Sequence, residues 1–415
     1  MKKLSNRTLG AFEKTFWLLD QLDSKDFAVA GEIEGLASVA DWQQAINMVQ
    51  ERHPNLRARI VLDNFSRPIL HYDVVAAIPL RVVHVDTDYR WEQEVEKELA
   101  IRFNTAEGPL LRAVLLQKLT DTVLILVANH TLSDGSSLMY LFRDILSALS
   151  GRPLPLMDIQ QSNDETLGMA DEPALFNTEQ SITIQREPSK LRPKVSSIRL
   201  PEATTRKLME RSKLEQTSVH GAICAAVLTN CRRMRAEWAY KRIELISPIC
   251  SRKVLALDGN YGLNITTHPV YFEGEQQLSF WEIAKLAKDG LAKTGTNAHV
   301  QGYINFFREL TFNKADLEPT MEALKGAFTQ EIMVTNLTKL KYDSDFRRFK
   351  LKSLYGPMVR SGKGPEQTIG AITSNGALCL TNTSEQPIEG LLKEIERSLV
   401  EACESQVEVF VKTLK

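Results

Sequence analysis

The sequence is poor in the features that usually declare a chemistry outright. It has five cysteines, Cys224, Cys231, Cys250, Cys379 and Cys403, an odd number with no C-x-x-C spacing. That argues against a zinc ribbon or a disulfide framework and for reduced thiols in a cytoplasmic protein. No apolar run approaches the ~18 residues of a membrane span. The N-terminus starts basic, but Glu13 and Lys14 interrupt its apolar stretch, so no signal peptide is expected. Neither sign of charge is in excess: 51 Lys and Arg face 52 Asp and Glu, for a formal net charge of −1. A nucleic-acid binder needs a basic surplus to neutralise phosphates, and this chain lacks one. There is no G-x-S-x-G elbow and no Cys beside a His, so a covalent enzyme intermediate is not expected. No His/Asp/Glu cluster has metal-ligand spacing, so no metal is expected either.

What is present is a chain of 415 residues, 43% hydrophobic and 25% charged, long enough to bury a large core without staples. The first half alternates strand and helix patterns. Phe27, Val29, Gly31 and Ile33 fall at period two. Ser38 and Asp41 form a capping box for a helix whose apolar face is Trp42, Ala45, Ile46 and Val49, and Pro54 ends it near His53. Residues 57–62 and 111–119 read as strands and residues 91–103 as a helix. The short continuous apolar run 123–128 reads as a buried central strand. Residues 1–160 therefore form one predicted α/β lobe. Residues 161–195, rich in proline and split into an acidic and a basic stretch, read as an inter-lobe linker. Residues 196–415 form a second lobe. In it Pro201 opens a helix, Thr217 caps a long small-residue helix, and Ser279 with Glu282 makes another capping box. Strands are expected at 244–249, 265–272, 331–337 and 377–381, and a helix at 388–399.

The predicted central strand runs straight into Asn129-His130-Thr131-Leu132-Ser133-Asp134-Gly135, and a helix follows. A neutral imidazole at a strand end, opening into a cleft, is suited to general base work near pH 7. Asp134 is placed either to hold that ring or to fix the loop by pairing with an Arg. Gly135 permits a backbone turn that other residues resist. One His and one Asp are too few for a metal site. On spacing alone, a structural histidine at a strand end is the favoured reading of His130.

Other segments narrow the choice. Arg52-His53-Pro54-Asn55-Leu56-Arg57 follows the first helix, and Phe103 to Arg112 contains F-x-x-x-x-G-P-L-x-R. With the His130 loop, their order and spacing resemble the acyltransferase superfamily of nonribosomal peptide condensation domains, polyketide-associated acyltransferases and alcohol O-acetyltransferases. Its patterns are R-H-P-x-L-R, F-x-x-x-x-G-P-L-x-R and H-H-x-x-x-D-G. Residues 245–252, ending in Arg252, Asn260 to Asn264, and Val334 to Leu337 resemble later family segments more loosely. Asn129 replaces the first His of the pattern, and the D-F-G-W-G motif of the plant branch is absent.

The resemblance implies an α/β fold of two chloramphenicol-acetyltransferase-like lobes, each a mixed sheet with flanking helices, with an active-site tunnel between them. It implies an acyltransferase that moves an acyl group from acyl-CoA or a phosphopantetheine thioester on an acyl-carrier protein to an alcohol or amine. His130 would be the general base. Asp134, Gly135 and Arg252 would be structural, with an Asp134–Arg252 ion pair, and Asn129 and Asn336 would line the tunnel. No bound cofactor is implied beyond the thioester co-substrate. A free-standing amide-forming condensation catalyst and a non-catalytic binding protein of the same fold are the alternatives. His53 reads as a structural cap. His71, His84, His268 and His299 carry no partner pattern, and His220 reads as packing with a tunnel-lining position open to it. The basic run Arg347 to Lys352 reads either as a contact for the phosphates of the donor or as a solvated strand edge.

Overall fold

A computed structural model describes residues 6–405 apart from positions 65–66, 73–75, 87, 119, 171–191, 258, 275, 313–316, 327 and 363. Two six-stranded mixed sheets dominate it.

The first sheet is organised around the strand Asp121–Asn129. Val123, Ile125 and Val127 point into one apolar cluster, and Leu124, Leu126 and Ala128 into another. This strand is buried on both faces, which is why its sequence is a continuous apolar run rather than an alternation. It pairs antiparallel with Asp26–Glu34 on one side and Leu111–Gln117 on the other. Leu80–His84 extends the sheet in parallel. The helices Val39–Arg52 and Gly135–Leu149 cover one face. Ser38 closes the expected capping box with Asp41, and the first of these helices stops at His53, next to Pro54.

The far edge of this sheet comes from the other half of the chain. Phe349–Val359 pairs antiparallel with Asp26–Glu34, and the two-residue strand Asp345–Phe346 lies outside it. Phe349, Leu351 and Leu354 enter one core cluster of the lobe, and Tyr355 and Met358 the other. A partition at residues 160 and 196 therefore does not divide the lobes: residues 345–359 belong with the first. In the run Arg347 to Lys352, buried Phe349 and Leu351 alternate with exposed lysines.

The second sheet runs in the order Ile265–Phe272, Ile243–Cys250, Ile332–Lys339, Gln367–Ser374, Ala377–Ser384 and Lys194–Arg199. The helices Val219–Met234, Phe280–Gly290 and Leu391–Glu404 pack on it through a third apolar cluster. Ser279 and Glu282 form the expected capping box, whereas the cap of the small-residue helix is Ser218 and not Thr217.

Two elements clamp the lobes. The helix Ala11–Leu22, absent from the sequence expectations, lays Phe12 against Tyr303 and Phe307 of the helix Asn297–Thr311, with ring centroids 5.1 and 5.0 Å apart. The expected linker, residues 161–195, lies partly outside the described residues, but its start is not a surface crossing. Asp164 is buried, accepts from the Ala11 N–H at 3.0 Å and pairs with Arg308 at 2.8 Å. Asn163 donates to the Leu263 carbonyl at 3.1 Å. Among the described residues, no helix is long and apolar enough to cross a membrane.

Candidate active site

The strand Asp121–Asn129 carries the chain out of the core, and His130 is the first residue beyond it. The His130 N–H donates to the Lys25 carbonyl at 2.8 Å, which ties the loop to the start of the neighbouring strand. The ring sits between two phenylalanines. Phe16 stacks on it with centroids 4.5 Å apart and planes at 20°, and Phe27 lies 4.6 Å away. His130 is 8% exposed. Its Nδ1 is sealed from solvent, which leaves Nε2 as the nitrogen able to face the cavity beside it. Burial is the main influence on the ring and pushes its pKa down to about 4. The charge of Asp134 and the backbone at His130 and Ser133 act in the opposite direction and are outweighed.

That cavity measures about 1320 Å³ and takes its walls from both lobes. Phe16, Lys25, Gly135 and Met139 come from the first. Cys250, Asn336 and Leu337 come from the second, and Pro357 from the strand the second half lends to the first. The strands Ile243–Cys250 and Ile332–Lys339 pair in parallel at Leu245–Ile332 and Ile246–Met333. Beyond that point both supply cavity wall: Pro248 to Cys250 from one, Thr335 to Leu337 from the other. A register shift between Asn336 and Lys339 marks the same place, the kind of bulge that re-aims side chains beside a site. Asn336 lines the cavity, with its Oδ1 held by the Thr338 N–H at 2.7 Å.

Asp134 faces away from the imidazole chemistry and holds the structure together. Its Oδ1 accepts from the Ser137 N–H at 2.9 Å and caps the helix Gly135–Leu149. Its Oδ2 accepts from Arg252 Nη1 at 2.7 Å and from the Asn264 N–H at 2.8 Å. Arg252 is 3% exposed and spends Nη2 on Ser137 Oγ and on the carbonyls of Asn260 and Gly262, at 2.9, 3.1 and 3.0 Å. Burial alone would make this guanidinium easier to deprotonate, but Asp134, with a smaller contribution from Cys250, reverses that and holds it firmly charged. The pair is an inter-lobe bolt, and four acceptors make up the desolvation of the cation.

Gly135 is required for space rather than for a special backbone angle. A Cβ there would lie 2.5 Å from Pro357 Cγ and 2.8 Å from Leu337 Cδ2. Asn129 does not line the cavity and corrects the expectation that it would. It is fully buried, and its side-chain amide donates to Asp20 Oδ1 at 3.1 Å and Asp26 Oδ1 at 3.0 Å. A donor between two buried carboxyls relieves their repulsion. Burial and the neighbouring Asp20 still hold the Asp26 carboxyl well above the usual range.

The remaining histidines separate cleanly. His53 Nε2 meets Asp144 at 2.8 Å beside Arg52, a structural knot at a helix end. His268 and His299 lie 5.5 Å apart in an adjoining cavity. His220 lines the main cavity together with Ser247, a residue the sequence does not single out. The rings of Phe16 and Phe27 are missed as well, although the spacing of Phe12, Phe16 and Leu19 is a helical signal. Arg347 to Lys352 do not reach the main cavity wall. Among the described residues no group of three His, Cys, Asp or Glu is placed to hold a metal ion.

Comparison with known proteins places this geometry. Residues 16–164 match the family model of the condensation domain. A linear gramicidin synthase polypeptide of Brevibacillus parabrevis is 27% identical over 170 residues, which is 38% of this chain and 3% of that far longer protein. Two solved structures share the fold across nearly the whole chain. The first condensation domain of the CDA synthetase has a TM-score of 0.72 at 15% identity and covers 97% of each chain. A trichothecene 15-O-acetyltransferase from Fusarium sporotrichioides has a TM-score of 0.67 at 11% identity and covers 96% of this chain and 94% of its own. The fold is the two-lobed, chloramphenicol-acetyltransferase-like fold of the condensation domains.

Proposed function

We propose that this protein is an acyltransferase that moves an acyl group from a thioester, on coenzyme A or on a phosphopantetheine arm of an acyl-carrier protein, to an alcohol or amine. The observation that carries this reading is His130: a neutral imidazole, clamped between Phe16 and Phe27, in the wall of a cavity that both lobes build. The acceptor's O–H or N–H gives its proton to His130 Nε2 as the oxygen or nitrogen attacks the thioester carbonyl. The tetrahedral intermediate collapses, the carbon–sulfur bond breaks, and the imidazolium returns the proton to the departing thiolate. Base assistance of this kind supplies about 10²–10⁴-fold; positioning within the cavity adds to it. The Gly135 N–H lies in the first turn of its helix, where helical acceptors are lacking, and Gly135 lines the cavity. It is the donor we assign to the oxyanion. The trichothecene acetyltransferase is by name an O-acetyltransferase, which supports the alcohol acceptor. The peptide synthases among the relatives support the second version of the reaction, amide formation between carrier-bound partners.

The test is thiol release and product mass with a panel of acyl-coenzyme A and carrier-bound donors against alcohols and amines. His130→Ala is expected to lower turnover at least about a hundredfold with an unchanged circular dichroism spectrum. No thiol release with any pair would leave a binding protein of the same fold. An acylated enzyme trapped by mass spectrometry would replace direct transfer with a covalent route.

A further inference from the structure

The wall of the main cavity holds a second imidazole, and acyl transfer by His130 makes no use of it. His220, in the first turn of Val219–Met234, meets Ser247 Oγ through Nε2 at 2.9 Å, and Cys224 Sγ lies 3.5 Å from the same nitrogen. Both His220 and Ser247 line the cavity. Ser247 is 1% exposed, so only a group that has entered the cavity can meet it. Burial pushes the pKa of His220 down to about 4. The pair is therefore uncharged at neutral pH and suited to a dipole rather than to an ion.

The hydrogen-bonding arithmetic identifies which dipole. If Ser247 donates to Nε2, the ring presents Nδ1–H and the hydroxyl keeps free lone pairs. If Nε2–H donates to Ser247, the hydroxyl presents its O–H and Nδ1 is an acceptor. In the second arrangement the Ser247 O–H can be taken up by Cys224 Sγ, but with Ser247 donating to Nε2 the pair keeps one donor and one acceptor, the complement of an amide N–H and C=O. The placement fits as well. Ser247 lies on the strand Ile243–Cys250, five residues before Arg252. At about 3.3 Å per residue that is on the order of 15 Å along the chain from the bolt that positions the His130 loop. Nearer the start of this strand the cavity is lined by Lys241, Arg242 and Lys288, offset by Glu244, Glu331 and Glu366. Those charges cancel, so recognition of an entering arm falls to neutral contacts such as the His220–Ser247 pair.

We propose that Ser247 and His220 form a binding station for an amide of the pantetheine arm that presents the thioester to His130. The proposal rests on the acyl-transfer reading and adds specificity-determining residues to it. The test uses three donors with the same acyl group: a pantetheine thioester with two amides, an N-acetylcysteamine thioester with one, and a propanethiol thioester with none. Ser247→Ala is expected to lower the kcat/KM ratio of pantetheine to propanethiol donor about five- to tenfold, the effect of one neutral hydrogen bond. The change should appear in KM. Ser247→Thr, which keeps the hydroxyl, should restore the ratio, and the N-acetylcysteamine donor locates the amide that is read. An unchanged ratio, or an equal loss with all three donors, overturns the station. Calorimetry with S-methyl pantetheine separates this proposal from the one it rests on. Binding that Ser247→Ala weakens, in a protein without transfer to any acceptor, keeps the station and removes the reaction. No binding to the wild-type protein at millimolar ligand removes the station.

Discussion

A histidine that is to take a proton has to be unprotonated while it waits, and His130 is kept so by hydrocarbon. The rings of Phe16 and Phe27 exclude the water that would solvate an imidazolium, and this outweighs the carboxylate of Asp134 four residues on. The rate should therefore be insensitive to pH between about 8 and 5.5, with no acid limb near the ordinary histidine value of about 6.5. A pH profile of kcat/KM that bends at 6.5 would show a hydrated, accessible ring. The same depressed value carries a stability consequence. Between about pH 6.5 and 4 the unfolded chain binds a proton that the folded ring refuses, so stability rises with pH across that window and falls on acidification. His220 acts in the same direction. Asp26 opposes them, because its carboxyl is raised and its neutral form favours the fold at low pH. Denaturant midpoints at pH 7 and 5 should show a net loss on acidification, and a smaller one in His130→Phe. His130 and Asp134 are legible in the sequence because a motif spaces them, and Arg252 only through the looser resemblance of residues 245–252. Phe16, Phe27 and Ser247 are not, since each reaches the His130 ring or the cavity from an element whose placement depends on tertiary packing. Asn129 misleads for a related reason: adjacency to His130 in sequence puts it on the opposite side of the strand end, among Asp20 and Asp26.

At the level of elements, the helix Gly135–Leu149 shows why the loop can be so short. Asp134 caps it, Arg252 pins the cap, and Gly135 lets Pro357 and Leu337 close over its first turn. Asp134→Asn keeps the shape but leaves a buried guanidinium uncompensated, and it is expected to destabilise the protein by about 3–5 kcal/mol, visible as a lower denaturant midpoint. A variant of wild-type stability that has lost activity would assign Asp134 to the chemistry instead. Gly135→Ala places a methyl where 2.5 Å separates it from Pro357. It should cost about 1–3 kcal/mol of overpacking and narrow the cavity, so both the melting temperature and turnover should drop. If Gly135→Ala melts like wild type, Pro357 and Leu337 give way to the methyl and packing does not require a glycine here. Capping boxes and period-two strands are readable here because their causes are local: Ser38 with Asp41, Ser279 with Glu282. The helix Ala11–Leu22 is harder to read, because Glu13, Lys14 and Asp20 interrupt its apolar pattern. Glu13 pairs locally with Arg7, but Lys14 and Asp20 are met by partners far along the chain, Lys14 donating to the Thr311 carbonyl at 2.8 Å and Asp20 accepting from Asn129 at 3.1 Å.

At the scale of the whole molecule, the two halves of the chain are not the two lobes. The second half returns Phe349–Val359 to the first sheet beside Asp26–Glu34, and that exchange decides how the cavity is held. Pro357, from the returning strand, stands against Gly135 at the cavity wall, while Arg252 reaches across from the second sheet to Asp134. Displacing either sheet would move a wall of the site. No local pattern announces such an exchange, because a strand's sequence records its burial and not which sheet it joins. Its consequence is testable with a fragment. Residues 1–160 alone lose the strand that covers Asp26–Glu34 and expose Ile33 and Phe27, buried in the full chain, along an open sheet edge, a template for aggregation. Such a fragment is expected to bind a hydrophobic dye and to lack a cooperative unfolding transition. Adding residues 340–360 through a flexible linker after residue 160 should restore much of that transition, since Phe349, Leu351, Leu354 and Met358 then return to their core. A fragment of residues 1–160 that melts cooperatively by itself would mean that the first lobe closes without the borrowed strand, and that the exchange serves the cavity alone.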